Sequence, residues 1–152
     1  MIDIFEIVNH PAFLIPLLSA IIAQGIKGII RSIQERKIVW KAFFEWGGMP
    51  SSHSALVISL SSMLGFKEGF TSSIFILSLF FAGIVIADAI GVRLATEEQA
   101  KAINKILQKY PLDEDHDIIL KESIGHTPVE ALSGALLGFL ISLIYYIGVM
   151  RR

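Results

Sequence analysis

A chain of 152 residues with 53% hydrophobic and only 18% charged side chains lies outside the usual range of soluble domains, which carry about a quarter of their residues as charges. A mean hydropathy of +0.64 excludes disorder, and a net charge of −1 with a pI near 6.4 leaves no basic excess for nucleic acid. Without cysteine there are no disulfides, no thiolate chemistry and no Cys-based zinc site; the length suits one domain.

The apolar residues fall into four blocks that carry no charge other than histidine. They are Ile7–Ile26, Gly47–Phe66, Gly69–Ala87 and Ala131–Met150, of 20, 20, 19 and 20 residues, together 79 of the 152. A helix needs roughly 20 residues to cross a hydrocarbon core of ~30 Å, and each block reaches that length. The first is not a cleaved signal, because Asp3 and Glu6 stand where a basic region would be. The chain therefore reads as a single integral membrane domain over 1–152. The fold class is all-α, a polytopic bundle with four transmembrane helices at about 7–30, 50–66, 69–91 and 127–150.

Taken in order, the connections set the orientation. Arg31, Arg36, Lys37 and Lys41 follow the first span, in a stretch that also holds Trp40, Phe43, Phe44 and Trp46, a composition suited to the headgroup layer. Lys67-Glu68 makes a tight turn between the second and third spans. After the third, Leu94–Tyr110 sets Ile103, Ile106, Leu107 and Tyr110 at helical spacing among Glu97, Glu98, Lys101, Lys105 and Lys109, which predicts an amphipathic surface helix. Asp113–Asp117 is an acidic loop. Nine basic residues in the two long connections against three at Lys67, Arg151 and Arg152 place both connections in the cytoplasm and both termini outside.

Ionisable groups at membrane helix ends are costly and are functional candidates by default. Gln24, Lys27 and Arg31 end the first span, and Pro50-Ser51-Ser52-His53 opens the second. Asp88 and Arg93 close the third, and Gly125-His126-Thr127-Pro128-Val129-Glu130 opens the fourth. All map to the same face, although none except Arg31 and Arg93 entered the orientation argument. Two helix starts there offer free N–H groups and positive dipole ends, which attract phosphate, and Lys27, Arg31 and Arg93 add cationic donors. His126 and Glu130 are four apart and share a helical face, so the carboxylate can orient the imidazole. His53 arrives from another helix and can protonate a leaving oxygen. Structural roles compete: a cap for His53, a plain i,i+4 pair for His126 with Glu130, snorkelling for Lys27 and Arg31, an ion pair with Lys27 or Arg93 for Asp88.

The motifs carry a resemblance. Pro50-Ser51-Ser52-His53 resembles the Pro-Ser-Gly-His motif of the type 2 phosphatidic acid phosphatase superfamily, which includes the vanadium-dependent haloperoxidases. His126-Thr-Pro-Val-Glu130 resembles its His-x-x-x-Asp motif. The whole chain is similar to the small divergent branch of that superfamily, down to Asp88-Ala-Ile-Gly-Val-Arg93, Gln99 and Asn104. The resemblance implies His126 as nucleophile, Glu130 as its orienting carboxylate and His53 as general acid. Lys27, Arg31, Ser51, Ser52 and Arg93 would bind phosphate, with Gln24 and Asp88 in support. Ser52 replaces the motif's Gly, Lys27-Gly-Ile-Ile-Arg31 stands in for Lys-x6-Arg-Pro, and Arg93 lies 33 positions before His126.

The expected protein is a membrane phosphatase acting on a lipid phosphate of the phosphatidic acid, phosphatidylglycerophosphate or polyprenyl phosphate class. It would work through a phosphohistidine at the cytoplasmic leaflet of a bacterial membrane, without metal or cofactor. Two other readings stand beside it. One is a non-catalytic lipid-phosphate binder or translocator, which at four spans would need a homodimer. The other is a metal-dependent hydrolase with His53, Asp88, His126 and Glu130 as ligands. The phosphoryl-transfer reading requires His53 and His126 to lie within the ~8–10 Å that a bound phosphate and its contacts bridge.

Overall fold

The computed structural model describes residues 4–45, 47–109, 119–120 and 125–151. Among these residues every regular element is helical, as the composition predicts. The elements are α1 (Ile4–Asn9), α2 (Pro11–Gln34), a 3-10 turn (Trp40–Phe43), α3 (Ser52–Glu68), α4 (Ser73–Ile90), α5 (Val92–Lys109) and α6 (Pro128–Tyr145), followed by a π-turn (Tyr146–Met150).

Each boundary has a local cause. His10 caps α2, its ring accepting the Ala12 N–H at 3.2 Å, and Pro11 sits where a missing N–H costs nothing. The first long helix therefore starts at Pro11 rather than near 7, and it runs on to Gln34. Ser51 and Ser72 cap α3 and α4 through their hydroxyls, and Gly69, with φ +92°, ends α3 in a conformation that favours glycine. Thr127 and Glu130 form a reciprocal capping box at the start of α6, with Pro128 in its first turn. Leu94 to Lys109 is helical as expected, but α5 begins at Val92, directly behind Gly91. The acidic loop 113–117, Tyr110, Lys121, residues 122–124 and Trp46 lie outside the described residues.

The packing turns the usual pattern inside out. α3 is the central helix, in contact with α2, α4 and α6. Ser19 of α2 lies 3.1 Å from Ser59 of α3, whose hydroxyl is 2.8 Å from that of Ser142 on α6, and all three are fully buried. Ser61 donates to the Ser78 carbonyl of α4 at 3.0 Å. Small residues let backbones close up: a side chain at Gly134 or Gly138 would overlap the carbonyl oxygen of Ser51 or Ala55. Meanwhile Phe80, Ile84, Leu132 and Ile144 are each about 70% exposed on the outside. Such a surface suits lipid, where hydrogen bonds and close packing, not hydrophobicity, hold helices together.

This arrangement supports a helical membrane bundle without fixing the count of spans at four. Among the described residues three helices are long and apolar enough to cross a membrane: Pro11–Gln34, Ser73–Lys109 (α4 running into α5) and Pro128–Met150. α3 is not among them. Its 17 residues reach about 26 Å, and it holds five serines, because a helix ringed by three others needs small, hydrogen-bonding side chains rather than lipid-facing ones.

Candidate active site

The starts of α3 and α6 lie side by side, tied by a hydrogen bond from the Ser51 N–H to the Glu130 carbonyl at 3.0 Å. The end of α4 joins them, its Ala89 carbonyl accepting the His126 N–H at 3.0 Å. α2 passes alongside with Gln24 and Lys27, three apart on one face. At the other end of the bundle the Lys67 ammonium lies 2.6 Å from His10 Nε2, so the start of α2 and the end of α3 are far from this cluster.

A cavity of about 300 Å³ opens where these elements meet. Gln24 and Lys27 of α2, Ser52 and His53 of α3, and His126 form its polar lining. The rings of His53 and His126 stand edge-on with centroids 6.4 Å apart, inside the separation that phosphoryl transfer requires. His126 is buried, and its Nδ1–H donates to Glu130 Oε2 at 3.1 Å. That leaves Nε2 with a lone pair. Lys27 Nζ is held by Gln24 Oε1 at 3.1 Å, so the cation stands at the cavity although its stem is buried.

The remaining residues singled out from the sequence fall behind or beyond the cavity. Ser51 is buried as the cap of α3, its hydroxyl engaged with the Ser54 N–H and hydroxyl. Arg93 pairs with Asp88, Nε to Oδ2 at 2.6 Å, at the junction of α4 and α5, near enough for its charge to act on His126. Arg31 is different. It lies one turn past Lys27, mostly exposed, and its Nε is engaged 2.7 Å from Glu35; it does not line the cavity. Among the described residues no three His, Asp or Glu side chains are grouped as a metal ion would need.

Sequence reasoning missed the wall formed by the α2–α3 connection. The Glu45 carbonyl accepts from Gln24 Nε2 at 3.0 Å and lies 3.5 Å from Lys27 Nζ, a backbone contact that no motif announces. Phe43, Phe44 and Gly47 complete the lining, and Phe43 packs so closely on Gly28 that a side chain there would overlap its ring. Gly47 and Gly48 both take φ +79°, which only glycine adopts without strain. The Gly-Gly pair was the available signal for that turn.

Burial dominates the electrostatics of His126. It pushes the imidazole below the ordinary 6.5, the hydrogen bond to Glu130 works against it, and the Lys27 charge adds to it. At neutral pH the ring is therefore the free base that a nucleophile needs.

The model of the Divergent PAP2 family matches residues 8–141. The chain belongs to the Divergent PAP2 family. It is also 38% identical over 151 residues to the uncharacterized membrane protein YuiD of Bacillus subtilis strain 168, covering 91% of this chain and 96% of that one. No solved structure matches the chain. A Divergent PAP2 family member with long apolar helices is a membrane protein, and its family suggests phosphatase chemistry.

Proposed function

We propose that this protein is an integral membrane phosphatase that hydrolyses a lipid phosphate through a phosphohistidine. The observation that carries the reading is the edge-on pair of His53 and His126 at 6.4 Å in one cavity with Lys27. His126 Nε2 attacks phosphorus while Glu130 holds Nδ1–H and stabilises the ring as it becomes positive. The P–O ester bond breaks, and His53 gives its proton to the departing alcohol oxygen. Water then attacks the phosphohistidine, His53 takes a proton from it, and inorganic phosphate leaves with His126 restored. Lys27, Arg93 held by Asp88, and the amide donors of the first turn of α3 at Ser52 offset the charge on the phosphoryl oxygens. Arg31 has no part in this scheme; its partner is Glu35.

The substrate class is a phosphorylated lipid such as phosphatidic acid, phosphatidylglycerophosphate or a polyprenyl phosphate. The exposed Trp40 and Phe44 beside the cavity support a site at the headgroup layer. The charge bias of the connections supports a cytoplasmic site in a bacterial membrane, with the whole chain as one membrane domain and α3 as a fourth span carried inside the other three. Phosphate release by the purified protein is expected to fall at least ~10³-fold in His126→Ala and in His53→Ala, the scale of losing a nucleophile or a general acid. Equal release by wild type and both variants removes the mechanism. Tight lipid-phosphate binding without release favours the binder instead.

A further inference from the structure

α5 buries the wrong residues for an ordinary amphipathic helix. Its isoleucines Ile103 and Ile106 and Val92 are exposed, while Asn104, next to Ile103, is 7% exposed. A buried amide needs partners, and Asn104 has a matched pair: Nδ2 donates to the Leu120 carbonyl at 2.9 Å, and Oδ1 accepts the Leu120 N–H at 2.9 Å. Two turns earlier on the same face, Glu97 Oε2 accepts the Gly125 N–H at 3.1 Å, and its other oxygen takes the Lys101 ammonium at 2.5 Å. Gly125 is also closed in from behind, since a side chain there would overlap Leu94 Cα. The next residue is His126.

We propose that Glu97 and Asn104 are positioning residues for His126: they pin the chain entering α6 at Gly125 and Leu120, and so fix where the imidazole stands opposite His53. The proposal rests on the reading of His126 as nucleophile. His126 is tied directly to α4 through the Ala89 carbonyl and to α6 through Glu130, but both ties act at or after the residue itself. The chain from Arg93 to His126 closes a loop of more than thirty residues, and each fixed point along it narrows where its end can stand. α5 supplies two fixed points inside that loop. Neither Glu97 nor Asn104 lines the cavity, and the route proposed from them to the chemistry is the backbone they hold.

The test uses the full chain in detergent with phosphatidic acid as substrate, comparing Glu97→Ala, Glu97→Gln and Asn104→Ala. Gln99→Ala, exposed on the opposite face of α5, controls for damage to that helix. Glu97→Ala and Asn104→Ala are expected to lower kcat about 10–100-fold with KM within about twofold, the scale of a misplaced catalytic group. Glu97→Gln, whose amide oxygen still accepts the Gly125 N–H, is expected to restore most of the rate. Histidine-selective NMR across pH reads the same question without turnover: the His126 titration moves toward 6.5 in the alanine variants and stays in place in Glu97→Gln. Should an alanine variant fail to fold, Glu97→Asp, one carbon short of Gly125, replaces it. Unchanged titration and kcat, or a Glu97→Gln as impaired as Glu97→Ala, overturns the proposal. A wild-type protein that releases no phosphate would defeat the phosphatase reading alone, since the titration still decides the positioning role.

Discussion

Glu130 uses one carboxylate oxygen twice. Oε2 accepts the Thr127 N–H that closes the capping box and the Nδ1–H of His126, each at 3.1 Å. A glutamine at the same place still completes a capping box but carries no charge. Glu130→Gln is therefore expected to melt within about 1 kcal/mol of wild type in detergent, the size of a helix cap, while kcat falls about 10²-fold or more because the imidazolium formed at His126 loses its counter-charge. The pH dependence follows from burial. Because His126 is held below 6.5, the limb of kcat/KM on which the nucleophile is lost to protonation is expected to lie beneath that value. Glu130 raises the His126 value, so Glu130→Gln moves the acid limb lower still. The sign for stability matches: below 6.5 the unfolded chain binds a proton at His126 that the folded chain refuses, so that contribution is present above 6.5 and is lost as pH falls. Circular-dichroism melts at pH 7.5 and 5.5 measure it. At this scale the sequence was readable where spacing decides, as for His126 with Glu130. It misled at Arg31, because a further four-residue step brings Glu35 within reach and draws the guanidinium outward.

At the scale of elements, α3 and α6 meet through backbone rather than side chains. Gly134→Ala puts a Cβ into the Ser51 carbonyl and must part the two helix starts that carry the histidines. It is expected to destabilise by about 1–3 kcal/mol in detergent melts, the range for an overpacked contact, and to lower phosphate release more than stability alone explains. Ser142→Ala is expected to be far milder, about 0.6 kcal/mol, because one interhelical hydroxyl bond in a membrane protein is worth little. Helix existence was legible from the charge-free runs, but their edges were not. His10 is a polar residue that a charge count passes over, and its capping bond moves the start of α2 to Pro11. α3 shows a different limit: a run free of charge can be rich in serine and packed among other helices rather than facing lipid on all sides.

For the whole molecule the absence of cysteine is an experimental advantage, since any introduced thiol is unique. Lys41→Cys and Lys105→Cys are expected to be shielded from an impermeant maleimide in intact cells, and Lys67→Cys and Arg151→Cys to be labelled. If α3 did not cross, Lys41 and Lys67 would share a side, so the same experiment decides between three and four spans. The gathering of His53, His126 and Lys27 at one end was readable because the apolar runs fix which residues are helix ends. The aromatic wall, the Glu45 carbonyl and the ties from α5 were not, since backbone acceptors and loop paths leave no periodic trace.

The two sides of the cavity differ in what they can tolerate. On one side the spacing between the helices bearing His53 and His126 is set by peptide groups touching at Gly134 and Gly138, with no side chain to trim or enlarge. On the other stand Phe43 and Phe44, side chains on a connection that glycines turn. Change in the size of the cavity, by drift among relatives or by laboratory selection, is met more easily by these side chains than by the peptide groups opposite.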